Sequence, residues 1–151
     1  MNEWFYLDFI DLQSNMGTIH FKHVLFVYGL LRKGSNDPMA LFLDQQASFI
    51  DHGYLHGKLF MVDGYPGAVA MLTSEKVYGD VFGFDDETLL AKLDDFEEIN
   101  MTDEYIRSQV DIHTASGLLN CWMYVYNRPT TKLKQIVSGD FLKYLSELKM
   151  Q

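Results

Sequence analysis

One cysteine in 151 residues, Cys121, excludes an internal disulfide. The five histidines and that single thiol form no spacing that would hold zinc. Bases are also scarce: 12 Lys and Arg stand against 21 Asp and Glu, a net charge of −9. Such a chain is poorly matched to a phosphate backbone, so nucleic acid is not an expected partner, and solubility is the simplest use of the charge. No apolar run approaches the ~18 residues of a membrane span, so no membrane partner is expected. The cysteine usage fits a reducing cytoplasm. What the chain does have is 48% hydrophobic and 15% aromatic residues, the composition of a folded domain. Its length suits one domain with a substantial core.

The first fifteen residues, MNEWFYLDFIDLQSN, lack a basic start and carry Glu3, Asp8 and Asp11 through their apolar stretch. That is not a secretory signal. The domain pattern begins near His23, so residues 1–22 read as an extension and 23–148 as the domain. Two readings of the extension stand side by side. Either Met16 is the natural start and a translated leader precedes it, or Trp4, Phe5, Tyr6, Phe9 and Ile10 form a packing or partner-binding strand.

Strands dominate the rest. HVLFVY (23–28) is a short apolar run stopped by Gly29. GLLRKGSNDP reads as a loop and MALFLDQ as one or two helical turns. ASFIDHGYLHGKLFMV predicts two strands or one bent strand, with bends or bulges at Gly53 and Gly57. DGYPG is a turn, AVAML a strand, and KVYGDVFGFD a strand curved at Gly79 and Gly83. EYIRSQVDIHTASGLLNCWMYVYNRP predicts a hairpin turning at Ser116 and Gly117. SGDFLKYLSELK predicts a closing helix. Short, Gly-bent strands with few helices point to a small curved sheet or barrel of the α+β class.

DDETLLAKLDDFEEI has the strongest helical pattern, with Asp85 or Asp86 as N-cap and Glu87 in the first turn. Leu89, Leu90, Leu93 and Phe96 form its apolar stripe. On a helical wheel Glu97 lies about 50° from the stripe centre, Asp94 about 110°, and Asp95 and Glu98 about 150°. Three acids therefore point sideways or outward, and Glu97 leans toward the core. A carboxylate there, near a helix C-terminus, has its pKa raised by burial and by the macrodipole, which suits a general base. The competing reading ends the helix at Phe96 and turns Glu97 to solvent, or pairs it with Arg107 or Arg32. On the wheel alone that reading is the stronger.

A resemblance alters the weighing. FVYGLLRKG, GYPGAV, LDDFEEINMTDEYIR, CWMYVYNRP and SGDF follow one another in an order that resembles the gamma-glutamylcyclotransferase family, in particular its small bacterial branch related to the gamma-glutamylamine cyclotransferases. The likeness spans about residues 23–145. It implies a small mixed β-barrel flanked by short helices. It implies that the backbone N–H groups of Tyr28, Gly29, Leu30 and Leu31 hold the glutamyl moiety, and that Glu97 is the general base. Tyr105 and Arg107 match a downstream Tyr-x-Arg, whose plain reading is one pocket-facing aromatic and one surface ion pair. Tyr126 is a further pocket candidate on the face shared by Trp122 and Tyr124. The implied partner is a small γ-glutamyl amide or amine, cyclised to 5-oxoproline without metal or other cofactor. Two departures stand out: Leu30 replaces the family's Ser or Thr, and Glu98 replaces a Gly. They keep open a noncatalytic module binding a small metabolite on the same scaffold.

His52 and His56 have a metal-like i,i+4 spacing, but Gly53 and the strand pattern make them two separate histidines. Glu97 and Glu98 are adjacent and project differently, so they make a poor glycosidase pair. No nucleophile elbow or Walker spacing is present.

Overall fold

The computed structural model describes residues 20–150. Five strands, β1 (His23–Val27), β2 (Ser48–Met61), β4 (Lys76–Phe84), β5 (Tyr105–Thr114) and β6 (Gly117–Tyr126), form the barrel. Its neighbours run β2-β4-β1-β6-β5, and β5 returns to β2 through Gly53↔Thr114 and Tyr54↔His113. β1 and β6 are parallel and the other pairs antiparallel, so the barrel is mixed. β3 (Pro66–Ala70) and the two-residue β7 (Lys134–Gln135) flank the far half of β2. The helices are α1 (Pro38–Gln46), α2 (Glu87–Phe96) and α3 (Phe141–Lys149).

Alternation along β1 divides the core. Phe26 and Tyr28 face one cluster with Leu55, Val81, Ile112 and Met123, drawn from all five barrel strands and closed by Phe141 of α3. Leu25 and Val27 face a second cluster under α1 and α2, with Leu43, Leu90 and Leu93. Each helix starts where an aspartate accepts a backbone N–H: Asp37 from Met39, Asp86 from Thr88 and Asp140 from Lys143. Cys121 is buried, and burial pushes its thiol up to about 12, which leaves it unreactive.

The segment 47–62 holds one long strand, Ser48–Met61. Its register shift falls between Phe49 and Asp51, not at the glycines. Gly53 serves closure instead: a Cβ there would stand 2.7 Å from Ile112 Cγ2 and 2.9 Å from the His113 carbonyl, where β2 crosses to β5. β7 went unanticipated because two residues carry no periodicity. Packing begins before His23, since Phe21 lies over Gly83 and the Lys22 N–H donates to Asp85. The aromatic extension lies outside the described residues, Met16 included. No helix among the described residues is long and apolar enough to cross a membrane.

Candidate active site

The loop after β1 is built from below. Asp80, fully buried on β4, accepts the Lys33 backbone N–H at 2.9 Å, Arg32 Nε at 3.1 Å and a contact from His52 Nδ1 at 2.7 Å. Arg32 also donates to Asp140 at the start of α3. A turn from the Gly29 carbonyl to the Arg32 N–H closes the loop over this anchor. Among the described residues no acceptor takes the Leu30 or Leu31 N–H. Two free donors on a tight turn are the elements of a small anion site. A Cβ at Gly29 would lie 2.8 Å from Pro66 Cγ, so glycine is needed to seat the Pro66 ring against the loop.

The end of α2 supplies the acid. Glu97 is the C-cap, its N–H donating to Leu93. The chain then leaves through a Schellman motif: the Glu98 N–H bonds Asp95 and the Ile99 N–H bonds Asp94. That motif needs a left-handed residue, and Glu98 takes it with φ 59°, the sole positive-φ residue other than glycine among those described. A side chain at this φ is strained by about 1–2 kcal/mol. Glu98→Gly is therefore expected to raise stability by about 0.5–1 kcal/mol, part of the relief being offset by the extra freedom of glycine in the unfolded chain. Urea unfolding with an unchanged slope checks this; equal or lower stability would mean the strain is absent.

These pieces meet at one end of the barrel around a cavity of about 260 Å³. Tyr28, Gly29, Leu30 and Leu31 line one side, Glu97 and Glu98 another, and Tyr105 a third, with Tyr65, Pro66 and Glu104 at the rim of β3 and β5. The Glu97 carboxyl has no hydrogen-bond partner among the described residues, and burial alone pushes its pKa up to about 7. Neither arginine named as an alternative partner reaches it. Arg32 is held by Asp80 and Asp140, and Arg107 forks onto Asp94 at 2.8 and 3.1 Å while stacking on Trp122. The field of Glu97 adds to the burial that drives the Tyr28, Tyr105 and Tyr124 hydroxyls upward.

The tyrosine hydroxyls already have acceptors. Tyr28 donates to the Tyr124 carbonyl, Tyr105 to the Pro66 carbonyl, Tyr124 to Asp94 and Tyr65 to Glu104. Tyr28 and Tyr105 thus contribute ring surface and rigidity to the cavity rather than free donors. Tyr126 does not line it. Its ring packs on Gly67 and edge-on to Tyr105, one layer behind. Asp94 also departs from its wheel position. It is buried, not turned sideways to water, because Arg107 and Tyr124 reach over to it. The sequence reading missed Asp80, although an acid inside the apolar run KVYGDVFGF must be paired when buried. It also missed Tyr65 and Glu104, which carried no pattern of their own. His52 and His56 lie on β2 as separate residues, and no group of metal-ligating side chains occurs among the described residues.

Comparison with known proteins then places the molecule. Residues 25–143 match the family model for gamma-glutamyl cyclotransferase, AIG2-like. The chain belongs to that family. It is 36% identical over 119 residues to the gamma-glutamylcyclotransferase family protein YtfP of Escherichia coli K12, covering 78% of this chain and 95% of YtfP. It is 31% identical over 116 residues to the gamma-L-glutamyl-butirosin B gamma-glutamyl cyclotransferase of Niallia circulans, covering 69% and 67% of the two chains. The solution structure of E. coli YtfP superposes with a TM-score of 0.58 at 33% identity, over 80% of this chain and 97% of that one. The crystal structure of YkqA from Bacillus subtilis gives 0.67 at 27% identity, over 85% of this chain and 43% of that one.

Proposed function

We propose that this gamma-glutamylcyclotransferase family member cyclises a γ-glutamyl amide or amine to 5-oxoproline and releases the amine, with Glu97 as the general acid and base. The observation that carries the reading is the half-buried, unpartnered Glu97 carboxyl lining a cavity beside a loop with free N–H groups. The glutamyl α-carboxylate or the developing oxyanion is held by the Leu30 and Leu31 N–H groups. Glu97 removes a proton from the α-ammonium group. The freed amine attacks the γ-carbonyl carbon and closes a five-membered ring. Glu97 then returns the proton to the leaving nitrogen as the amide bond breaks. Nucleophile and electrophile belong to one molecule, so folding the substrate into a reactive shape supplies much of the rate, up to the ~7–11 kcal/mol of ideal intramolecular geometry. Leu30 removes a side-chain hydroxyl from the loop and leaves the backbone contacts in place.

The test is 5-oxoproline release from a panel of γ-glutamyl amino acids and γ-glutamyl amines. A Glu97 raised to about 7 works only once ionised, so kcat/KM is expected to climb through a limb centred near pH 7. A limb near pH 4.5, or none between pH 5.5 and 8.5, would remove Glu97 from the role. Leu30 and Glu98 favour a second reading, a noncatalytic metabolite-binding module. Its signature is a panel member that raises the melting temperature without being turned over.

A further inference from the structure

Asp94 and Glu97 stand three residues apart at the end of α2, in opposite surroundings. Asp94 is buried and accepts from Arg107 Nε at 2.8 Å, from Arg107 Nη2 at 3.1 Å and from the Tyr124 hydroxyl at 2.7 Å. Both donors come from the hairpin packed against α2, where Arg107 on β5 and Tyr124 on β6 are register partners. The guanidinium also lies 4.3 Å over the Trp122 ring, which fixes its direction. Glu97, half-buried at the cavity, accepts from no donor among the described residues. Side chains three apart on helical backbone have Cβ atoms about 5–6 Å apart, so the donors on Asp94 lie about one turn from Glu97. Burial, then Asp94 and then Glu97 drive the Tyr124 hydroxyl upward, so it sits in the field of both acids. The other titratable groups lining the cavity are Glu98, Glu104, Tyr28, Tyr65 and Tyr105, with no Lys, Arg or His. On α2 itself Asp95 is exposed and Lys92 turns to Phe42. Arg32 is held by Asp80 and Asp140, and Arg128 by Asp103. That leaves Arg107 as the cation that a small rearrangement would bring to Glu97.

Resting on the cyclotransferase reading, we propose that Asp94 is a positioning residue that holds the Arg107 guanidinium away from the Glu97 carboxyl and so keeps the base unpaired. The two-pronged, charge-assisted contact matches the shape of the guanidinium, and the Tyr124 hydroxyl braces the carboxylate that receives it. A guanidinium released onto Glu97 would favour its charged form and cancel the effect of burial. It would also occupy the lone pair that has to take up the substrate proton. An Asp94 left without Arg107 would act in the opposite sense, as a second negative charge one turn away that resists ionisation of Glu97. The matched pair does neither. Two opposite charges in contact present little net field, and burial alone sets the behaviour of Glu97. Asp94 and Arg107 do not line the cavity, so they act through Glu97 and not on the substrate.

The pH dependence of kcat/KM, measured with the fastest member of the γ-glutamyl panel, tests this by sign. Asp94→Asn keeps the shape and an acceptor for Tyr124 but leaves Arg107 without a carboxylate. Its activating limb is expected to move from near pH 7 downward by about one pH unit or more, with a plateau about tenfold or more lower. Arg107→Gln leaves Asp94 unpaired and moves the limb upward. The Asp94→Asn, Arg107→Gln double variant removes both charges and returns the limb to near 7. A pair that only stabilises the fold would lower activity in all three variants and leave the limb in place, and that result overturns the proposal. Displacement of the same sign in both single variants overturns it as well. Should Asp94→Asn not fold, Arg107→Gln and the double variant carry the comparison. Should no panel member be turned over, carbon-13 NMR titration of the Glu97 carboxyl, assigned by its loss in Glu97→Gln, reads the same displacements without substrate. Opposite displacements there uphold the positioning role although the chemistry fails, and a Glu97 titration unmoved by either variant rejects it.

Discussion

Glu97→Gln is expected to lower kcat/KM by about 10²- to 10⁴-fold, the contribution of one well-placed acid–base group, while making the protein more stable above pH 7. The second half follows from the same environment. Burial raises the Glu97 carboxyl from 4.5 to about 7 in the folded state, so the folded protein binds the extra proton between those values. Stability therefore falls as pH rises from about 4.5 to 7, and the loss is complete above 7. The cost of holding the charged form is on the order of 3 kcal/mol. Gln keeps the shape and never ionises, so the variant escapes that cost at pH 8 and gains nothing at pH 4. Unfolding curves at the two pH values, run beside product release, check both halves. Full activity in the variant would exclude Glu97 as the base. A variant no more stable at pH 8 would mean that the carboxyl is solvated or paired after all.

The largest loss of stability is expected from Asp80→Ala. Asp80 is fully buried, and its removal takes one of the two carboxylates from Arg32, strands the Lys33 N–H and breaks the contact to His52 at once. Breaking a buried pair by deleting one partner costs about 3–5 kcal/mol. In a chain of this size that corresponds to a fall of roughly 10 °C in melting temperature. Asp44→Ala is the control, because its contact with Lys33 is exposed on both sides and worth little. The Asp80 variant also loosens the turn that presents the Leu30 and Leu31 N–H groups, so KM rises more than the stability loss explains. Equal unfolding midpoints for the two variants would show that the buried network contributes nothing. Asp80→Asn, which retains volume and one acceptor, is expected to recover part of the loss.

These expectations rest on features of unequal legibility. The helix of α2 was plain from Leu89, Leu90 and Leu93, and Asp86 caps it as the capping rule requires. The wheel set Glu97 nearest the α2 stripe, but α2 ends at Phe96 with Glu97 as its C-cap, as the competing reading had it, and the resemblance rather than the stripe singled out this acid. The hairpin of β5 and β6 formed as anticipated, but it turns at Ala115 and Ser116, one residue earlier than expected, and Gly117 opens β6. Asp94 misled, since the wheel ranks positions by angle alone and Arg107 lies 13 residues away on another element. Tyr126 misled for a similar reason. Strand alternation placed it on a face but could not say that Tyr105 and Gly67 would cover it.

The sequence by itself determined the strand-rich class of fold, the run of its elements and the absence of a disulfide framework, each from spacing within one segment or from composition. Glu97 became the acid most worth testing only when the family resemblance was set beside the wheel. Tertiary structure alone decided which carboxylates are paired and which is free. It took β4 beside β1 to bring Asp80 under the 29–33 loop, and β5 beside β6 to carry Arg107 and Tyr124 to Asp94. It took the approach of Pro66 to make Gly29 obligatory. Glu97 is left without a partner because Arg32, Arg107 and the hydroxyls of Tyr28, Tyr105 and Tyr124 found others. That outcome is a competition among residues distant in the chain, and only their positions in space settle it.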